Sequence, residues 1–157
     1  MLFRSLLALS DLGIDEMEGR RRAEAAVADG SAVAAYERWI RAQGGDPDEA
    51  ALPSAPVVLP VIATEGGWVT RLGAIRVGLA ALHLGAGRRT KDDEIDHAVG
   101  VFCDRKRGDE VAPGDILAEV HARDDTAARE AARDVFAAYE LGAKAPHARG
   151  IVLDVIG

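Results

Sequence analysis

Apolar residues follow two different spacings along this chain, and the change from one to the other falls near residue 56. Before it the spacing is helical. Glu16 to Asp29 reads as a charged helix, and a second helix follows with Val33, Tyr36 and Ile40 on one stripe and Trp39 beside them. Ser31 is the expected N-cap of that second helix, and Gly44-Gly45 its stop. The stretch GGDPDEAALPSAP, Gly44 to Pro56, gathers glycine, proline and polar residues. A boundary is therefore expected there, with a helical segment over 1–52 and a second domain over 57–157.

Beyond the boundary, short β-rich runs are broken by turns. Val57 to Ala63 is a strand, and Pro60, which has no N–H for a ladder, places it at a sheet edge. Gly66-Gly67 turns the chain, Trp68 to Leu72 forms a short strand, and Ala74 to Leu84 forms a helix whose inward face is expected to carry Ile75, Leu79 and Leu82. Gly85 and Gly87 end it. Further strands are expected over Ala98 to Asp104, at Val111 and over Ile116 to Ala122, separated by turns at Arg107-Gly108-Asp109 and Pro113-Gly114. Asp124 or Asp125 caps a last helix with an apolar stripe of Ala128, Ala132, Val135 and Tyr139, which Gly142 closes. Ile151 to Ile156 reads as a final strand. The order of elements is that of an α+β fold.

Composition narrows the function classes. At 157 residues and 48% hydrophobic, the chain can bury a core. Its net charge of −7 opposes a nucleic-acid or anionic-membrane surface, and the basic cluster Arg20-Arg21-Arg22 sits among acidic neighbours. The one cysteine, Cys103, cannot form an intrachain disulfide, no run is long enough to span a membrane, and the apolar start is cut short by Asp11. A cytoplasmic location is the expectation.

The stretch LGAGRRTKDDEIDHAVGVF, Leu84 to Phe102, is the densest in candidate chemistry. A glycine-rich loop binds phosphate when it precedes a helix, where free N–H groups and the positive dipole end point outward. Here it follows one. The nearest free groups are carbonyls, with Arg88 and Arg89 complementing the negative helix end. Asp92, Asp93, Glu94, Asp96 and His97 lack the alternating ligands and central glycine of a calcium loop and have no cysteine or second histidine for zinc. His83, His121 and His147 are not at ligand spacing to one another, and Cys103 lies inside a predicted strand. Catalytic, cofactor-binding and metal residues are accordingly assigned as none.

The double turn GDEVAPGDILAEVHARDD, Gly108 to Asp125, resembles half of a biotinyl or lipoyl carrier domain, which implies a flattened barrel sandwich. Such carriers present a lysine directly after this strand, where this chain has His121, Ala122, Arg123 and Asp124. Lys91, Lys106 and Lys144 lie elsewhere. A carrier or interaction module remains the alternative reading.

A wider resemblance rests on AQGGDP (Ala42 to Pro47), GGWVTRLGAIRVGLAALHLGAGRRTKDDEIDHAVGVF (Gly66 to Phe102) and KRGDEVAPGDILAEVHARDD (Lys106 to Asp125), in that order. Ordered and spaced in this way, they are similar to the C-terminal part of the thymidine and pyrimidine-nucleoside phosphorylases. The resemblance implies a small hammerhead-like β/α domain over 57–157, with 1–52 as the end of the family's large α/β domain. It also implies a dimeric cytoplasmic enzyme without a cofactor, in which inorganic phosphate is co-substrate for splitting a pyrimidine nucleoside into base and sugar 1-phosphate. The family's Lys-His-Ser-Thr-Gly-Gly type phosphate loop and its Arg, Ser and Lys base-binding set lie upstream of the matched region, and this sequence has neither. The chain alone is expected to be inactive, its partner being the missing N-terminal catalytic part. The loop from Gly87 to Asp96 is expected near the cleft. The stripe of Val33, Tyr36 and Ile40 is expected to be uncovered, with self-association as its result.

Overall fold

The computed structural model describes residues 6–148. They separate into two compact units that meet in sequence between Ala51 and Leu52. The first holds two helices, α1 (Glu16–Ala28) and α2 (Ser31–Ala42), and a short 3₁₀ turn at Glu49–Ala51. The Asp15 carboxylate caps α1 by accepting from the Glu18 amide at 2.8 Å, and Arg20–Glu24, Arg21–Glu18 and Arg22–Glu18 pairs lace its surface. Helix α2 does not start as expected. Gly30, at φ 78, is its cap residue, while Ser31 is already helical and donates its amide to the Asp29 carboxylate at 2.8 Å. Asp29 reaches the free N–H first, and the left-handed bend between the helices selects glycine over serine. At the far end, the amides of Gly44 and Gly45 donate back to the carbonyls of Arg41 and Ile40, closing the helix as the double glycine suggests.

No hydrophobic side chain among the described residues of this unit is buried; Val33, Tyr36 and Trp39 are all more than half exposed, and Ile40 is half-buried. The apolar stripe read from the sequence is thus real and uncovered. Tyr36 and Trp39 form a tilted ring pair, 6.2 Å between centroids.

The second unit, Leu52–Ala148, contains the buried hydrophobic residues found among the described residues, from Val61 to Tyr139. Its strands are β1 (Val57–Ile62), β2 (Gly67–Leu72), β3 (Gly100–Cys103), β4 (Glu110–Val111), β5 (Ile116–Ala122) and β6 (Tyr139–Gly142). They form two three-stranded antiparallel sheets, ordered β1-β5-β3 and β4-β2-β6. Pro60 stands on an edge strand, as its missing donor requires. Helix α3 (Ala74–Ala81) packs against helix α4 (Asp125–Phe136), which lies on β1 and β5. The Asp124 carboxylate caps α4 by accepting from the Ala127 amide at 2.9 Å.

Three expectations change. Helix α3 gives way to a π-type turn over Leu82–Ala86 and is rotated relative to the predicted face: Ala80 and Leu84 are buried, Leu82 is half-buried, and Ile75 and Leu79 are exposed. Small side chains win the inward positions because α4 presents Ala128 and Ala131, and two alanine-lined helices approach closely. The last helix ends at Phe136, and Tyr139–Gly142 is a strand on β2 rather than its continuation. A turn through Ala137 and Ala138, in which the Gly73 amide donates to the Ala138 carbonyl at 2.8 Å, redirects the chain. Strand β3 is shorter than predicted. The proposed strand Ile151 to Ile156 lies outside the described residues.

A Cβ on Gly67, at φ 151, would come within 2.9 Å of the Gly142 carbonyl oxygen where β2 meets β6. Gly67→Ala is expected to cost about 1–3 kcal/mol in equilibrium urea unfolding. Gly78, exposed in α3 with open space around it, gives the opposite sign: Gly78→Ala should gain about 0.5–1 kcal/mol.

The Tyr139 hydroxyl lies 2.7 Å from the Leu117 carbonyl and 3.0 Å from that of Arg105, fastening β6 to the first sheet. Burial, followed by the neighbouring Cys103, raises its pKa above the ordinary phenol value of 10.0. The unfolded phenol ionises first, so stability holds below about pH 10 and declines as pH rises past it toward the folded value. Tyr139→Phe should cost about 1–2 kcal/mol at neutral pH and remove that part of the alkaline decline, read from urea midpoints between about pH 8 and pH 11.

Candidate functional site

The stretch richest in candidate chemistry becomes a loop closed at its neck. The π-type turn contains Gly85 at φ 103, whose carbonyl accepts the Asp96 amide at 2.9 Å. Between these two residues the acidic side chains turn to the backbone. One Asp93 carboxylate oxygen accepts from the amides of Arg89 at 2.9 Å and Thr90 at 3.1 Å, and the other from the Thr90 hydroxyl at 2.7 Å. Those three donors, the hydroxyl foremost, hold its pKa below the usual aspartate value. Asp96 accepts from Arg123 Nε at 2.5 Å and from the Ala98 amide at 2.9 Å, and its pKa is lowered chiefly by the guanidinium.

Arg123 stands 27 positions from Asp96, at the junction of β5 and α4, and no periodicity in the sequence points to the pair. It clasps the loop to the end of the sheet. Both aspartates are thereby engaged on both carboxylate oxygens by protein donors. Asp92, Glu94 and His97 are exposed. Among the described residues, no group of three or more His, Cys, Asp or Glu side chains is placed to hold a metal ion.

The other candidates are dispersed. His121 Nε2 is 3.8 Å from the Glu119 carboxylate on the outer face of the first sheet, His83 borders a small cavity with Glu130 and Asp134, and the His147 carbonyl accepts from Arg107. Cys103 is half-buried on the inner side of β3, packed against the core. The position after β5 where a carrier domain presents its lysine holds Arg123 in the clasp and Asp124 in the helix cap.

The double turn is built twice on one plan. The Asp109 amide donates to the Lys106 carbonyl and its carboxylate accepts the Lys106 amide; Asp115 does the same with Ala112. Gly108 and Gly114 take the positive φ of 103 and 93 that the third position of a type II turn requires. Each turn also grips the strand opposite: Gly108 N and Asp109 O hold Val69, and Gly114 N and Asp115 O hold Ala63. These bonds fix the two turns against the strands they face.

A concavity of about 560 Å³ lies where β2 runs into α3 beside the start of β6. Arg71, Leu72, Ile75, Arg76, Leu79 and Glu140 shape it. Arg71 is spent on Glu140 at 2.6 Å, and Arg76 donates to the Ala137 carbonyl at 3.3 Å. The sequence hid this surface, since helical spacing assigned Ile75 and Leu79 to the core.

Residues 68–142, which hold the two-sheet unit from β2 to β6, match the family described as Pyrimidine nucleoside phosphorylase C-terminal domain. The thymidine phosphorylase of Mesorhizobium japonicum is 38% identical over 157 residues, covering 97% of this chain and 36% of its own. The pyrimidine-nucleoside phosphorylases of Geobacillus stearothermophilus and Bacillus subtilis are 40% and 39% identical over 109 residues, covering 67% of this chain and 25% of theirs. The chain thus spans between a quarter and roughly a third of the length of these relatives. No helix among the described residues is long and apolar enough to cross a membrane. On this match, and on the ordered motifs that first suggested it, residues 68–142 carry the C-terminal domain of the pyrimidine nucleoside phosphorylases, and the chain as a whole is similar to the C-terminal part of the thymidine and pyrimidine-nucleoside phosphorylases.

Proposed function

We propose that this chain is the supporting C-terminal portion of a pyrimidine-nucleoside phosphorylase and does not catalyse phosphorolysis alone. The observation that carries the reading is the family match over residues 68–142, joined to the finding that Arg123 at the acidic loop and Arg71 and Arg76 at the groove are taken up by protein partners. Phosphorolysis of a nucleoside passes through a sugar with oxocarbenium character, held between an anion and a departing base. Its barrier falls only when several preorganised donors converge on both. The acidic loop offers spent carboxylates instead, and the cations at the groove are committed to Glu140 and to a carbonyl. The missing donors belong to the upstream catalytic part, which is this chain's partner. The assembled enzyme is dimeric, works in the cytoplasm and uses inorganic phosphate as co-substrate.

Within that enzyme, the two-sheet unit serves as a hammerhead-like brace of the barrel-sandwich kind. Supporting this is the ribbon of β1 and β2 against β5 and β4, which passes from one sheet to the other without losing its partner. The loop from Gly87 to Asp96 is held rigidly beside the cleft, its clasp at Asp96 and Arg123 setting its position. The segment 1–52 packs against the catalytic part through Val33, Tyr36 and Trp39.

The purified chain, incubated with thymidine and phosphate, should release no thymine by base absorbance; phosphate-dependent release free of contaminating enzyme would refute the reading. The loop clasp has its own signature. The folded pKa of Asp96 lies below its ordinary 3.8, so the clasp is intact above that value and opens only as pH falls through the lower folded one. The Ala98 amide resonance should therefore titrate below the ordinary aspartate range, and Arg123→Gln should move its midpoint upward.

A further inference from the structure

Helix α3 is short, ends in a π-type turn, and leaves Ile75 83% exposed and Leu79 48% exposed, one helical turn apart. Isolated apolar residues on a surface are ordinary; this pair is not isolated, because it forms one wall of the groove that Leu72 floors. The frame is rigid. Gly73 is tied to Ala138 by a 2.8 Å backbone bond, Arg71 to Glu140 by an ion pair, and Arg76 to the Ala137 carbonyl. Arg76 meets no carboxylate among the described residues, so the rim carries one uncompensated positive charge in a chain of net charge −7.

Two features identify the occupant. Ten residues line the groove, whereas a stable protein interface uses roughly 20–30 residues on each side, so two copies meeting here alone would not hold together. The relatives are three to four times as long as the part of them this chain matches, which supplies a partner able to add contacts elsewhere. We infer that this groove seats the upstream catalytic portion of the enzyme, which lays into it an apolar helical ridge bearing a carboxylate opposite Arg76. The inference rests on the reading of the chain as a C-terminal portion and adds the surface and chemistry of the joint. The outer face of the first sheet is the weaker competitor. Val58 and Phe102 are exposed there, but Glu119 and His121 run down its middle strand in the alternation of a solvated sheet face.

The test co-expresses this chain, affinity-tagged, with the part of the Mesorhizobium japonicum thymidine phosphorylase that lies outside the match, and reads both co-purification and amide exchange across Ala74–Ala81. The wild-type chain should retain its partner with those amides protected. Ile75→Asp with Leu79→Asp should weaken retention at least about tenfold, Ile75→Leu should preserve it, and Arg76→Gln should weaken it less while reducing its salt dependence. Phe102→Asp, on the open sheet face, should change nothing. Full retention by the double aspartate variant, or unprotected α3 amides in a wild-type complex, would overturn the groove while leaving the C-terminal reading intact. Should the double variant not fold, amide protection in the wild-type complex decides alone. Failure of the wild-type chain to retain any partner would overturn both.

Discussion

One antiparallel pairing underlies the whole two-sheet unit. The segment from Val57 to Leu72 faces the segment from Gly108 to Ala122, first as β1 against β5 and then as β2 against β4. Between the sheets the partnership continues: Ile62 pairs with Ile116, Ala63 bonds to Asp115, Gly67 pairs with Val111, and Val69 bonds to Asp109. The sum of partner numbers stays constant through all of them. The chain therefore turns a corner from one sheet to the other with backbone bonds on both sides of the bend, after a one-residue register shift between Val61 and Ile62. The two Gly-Asp turns make this possible by supplying their own side-chain acceptors and by offering the same two backbone groups to the opposite strand.

Packing follows from that corner. The core is dominated by small residues, with Ala63, Ala80, Ala118, Ala122, Ala128 and Ala131 buried beside Val69, Leu117, Val120 and Val135. Alanines on the sheet, on α3 and on α4 let these layers approach closely, and close approach replaces large side chains as the source of dispersion contact. The larger apolar residues are consequently displaced outward. Ile75, Leu79, Phe102 and Phe136 stand on surfaces, and the helical unit before Leu52 buries none of its apolar side chains among the described residues.

That inversion explains what was legible in the sequence. The strands with clear turn punctuation, β1, β4 and β5, were readable because proline and glycine act locally: Pro60 marks an edge, and Gly108 and Gly114 fix two turns. The cap at Asp124 was readable for the same reason. The inward face of α3 was not, because a hydrophobic-stripe argument weights isoleucine and leucine above alanine, while the packing selects by size. Strand β6 was hidden because Val135 and Tyr139 sit four residues apart and imitate a helix; only the pairing of Tyr139 and Leu141 with β2 reveals the change. The family was legible through ordered motifs, whereas the clasp of Asp96 and Arg123 depends on a tertiary closure that spacing cannot register. Nothing in the spacing of the acidic loop signals that Asp93 and Asp96 serve backbone amides.

That service divides the carboxylates of this acidic protein into two populations. Asp93, Asp96, Asp109, Asp115 and Asp124 each reach a main-chain amide two to four residues away, a span that suits a side chain with one methylene. At Asp93, Asp109, Asp115 and Asp124 length matters more than charge, so asparagine is the closer substitute and glutamate the poorer one, whereas Asp96 also needs its charge for Arg123. Exposed acids such as Asp92 and Glu94 carry no such geometric duty. Sequence drift among relatives should thus be slow at the first group and free at the second, even though every member contributes the same unit of negative charge.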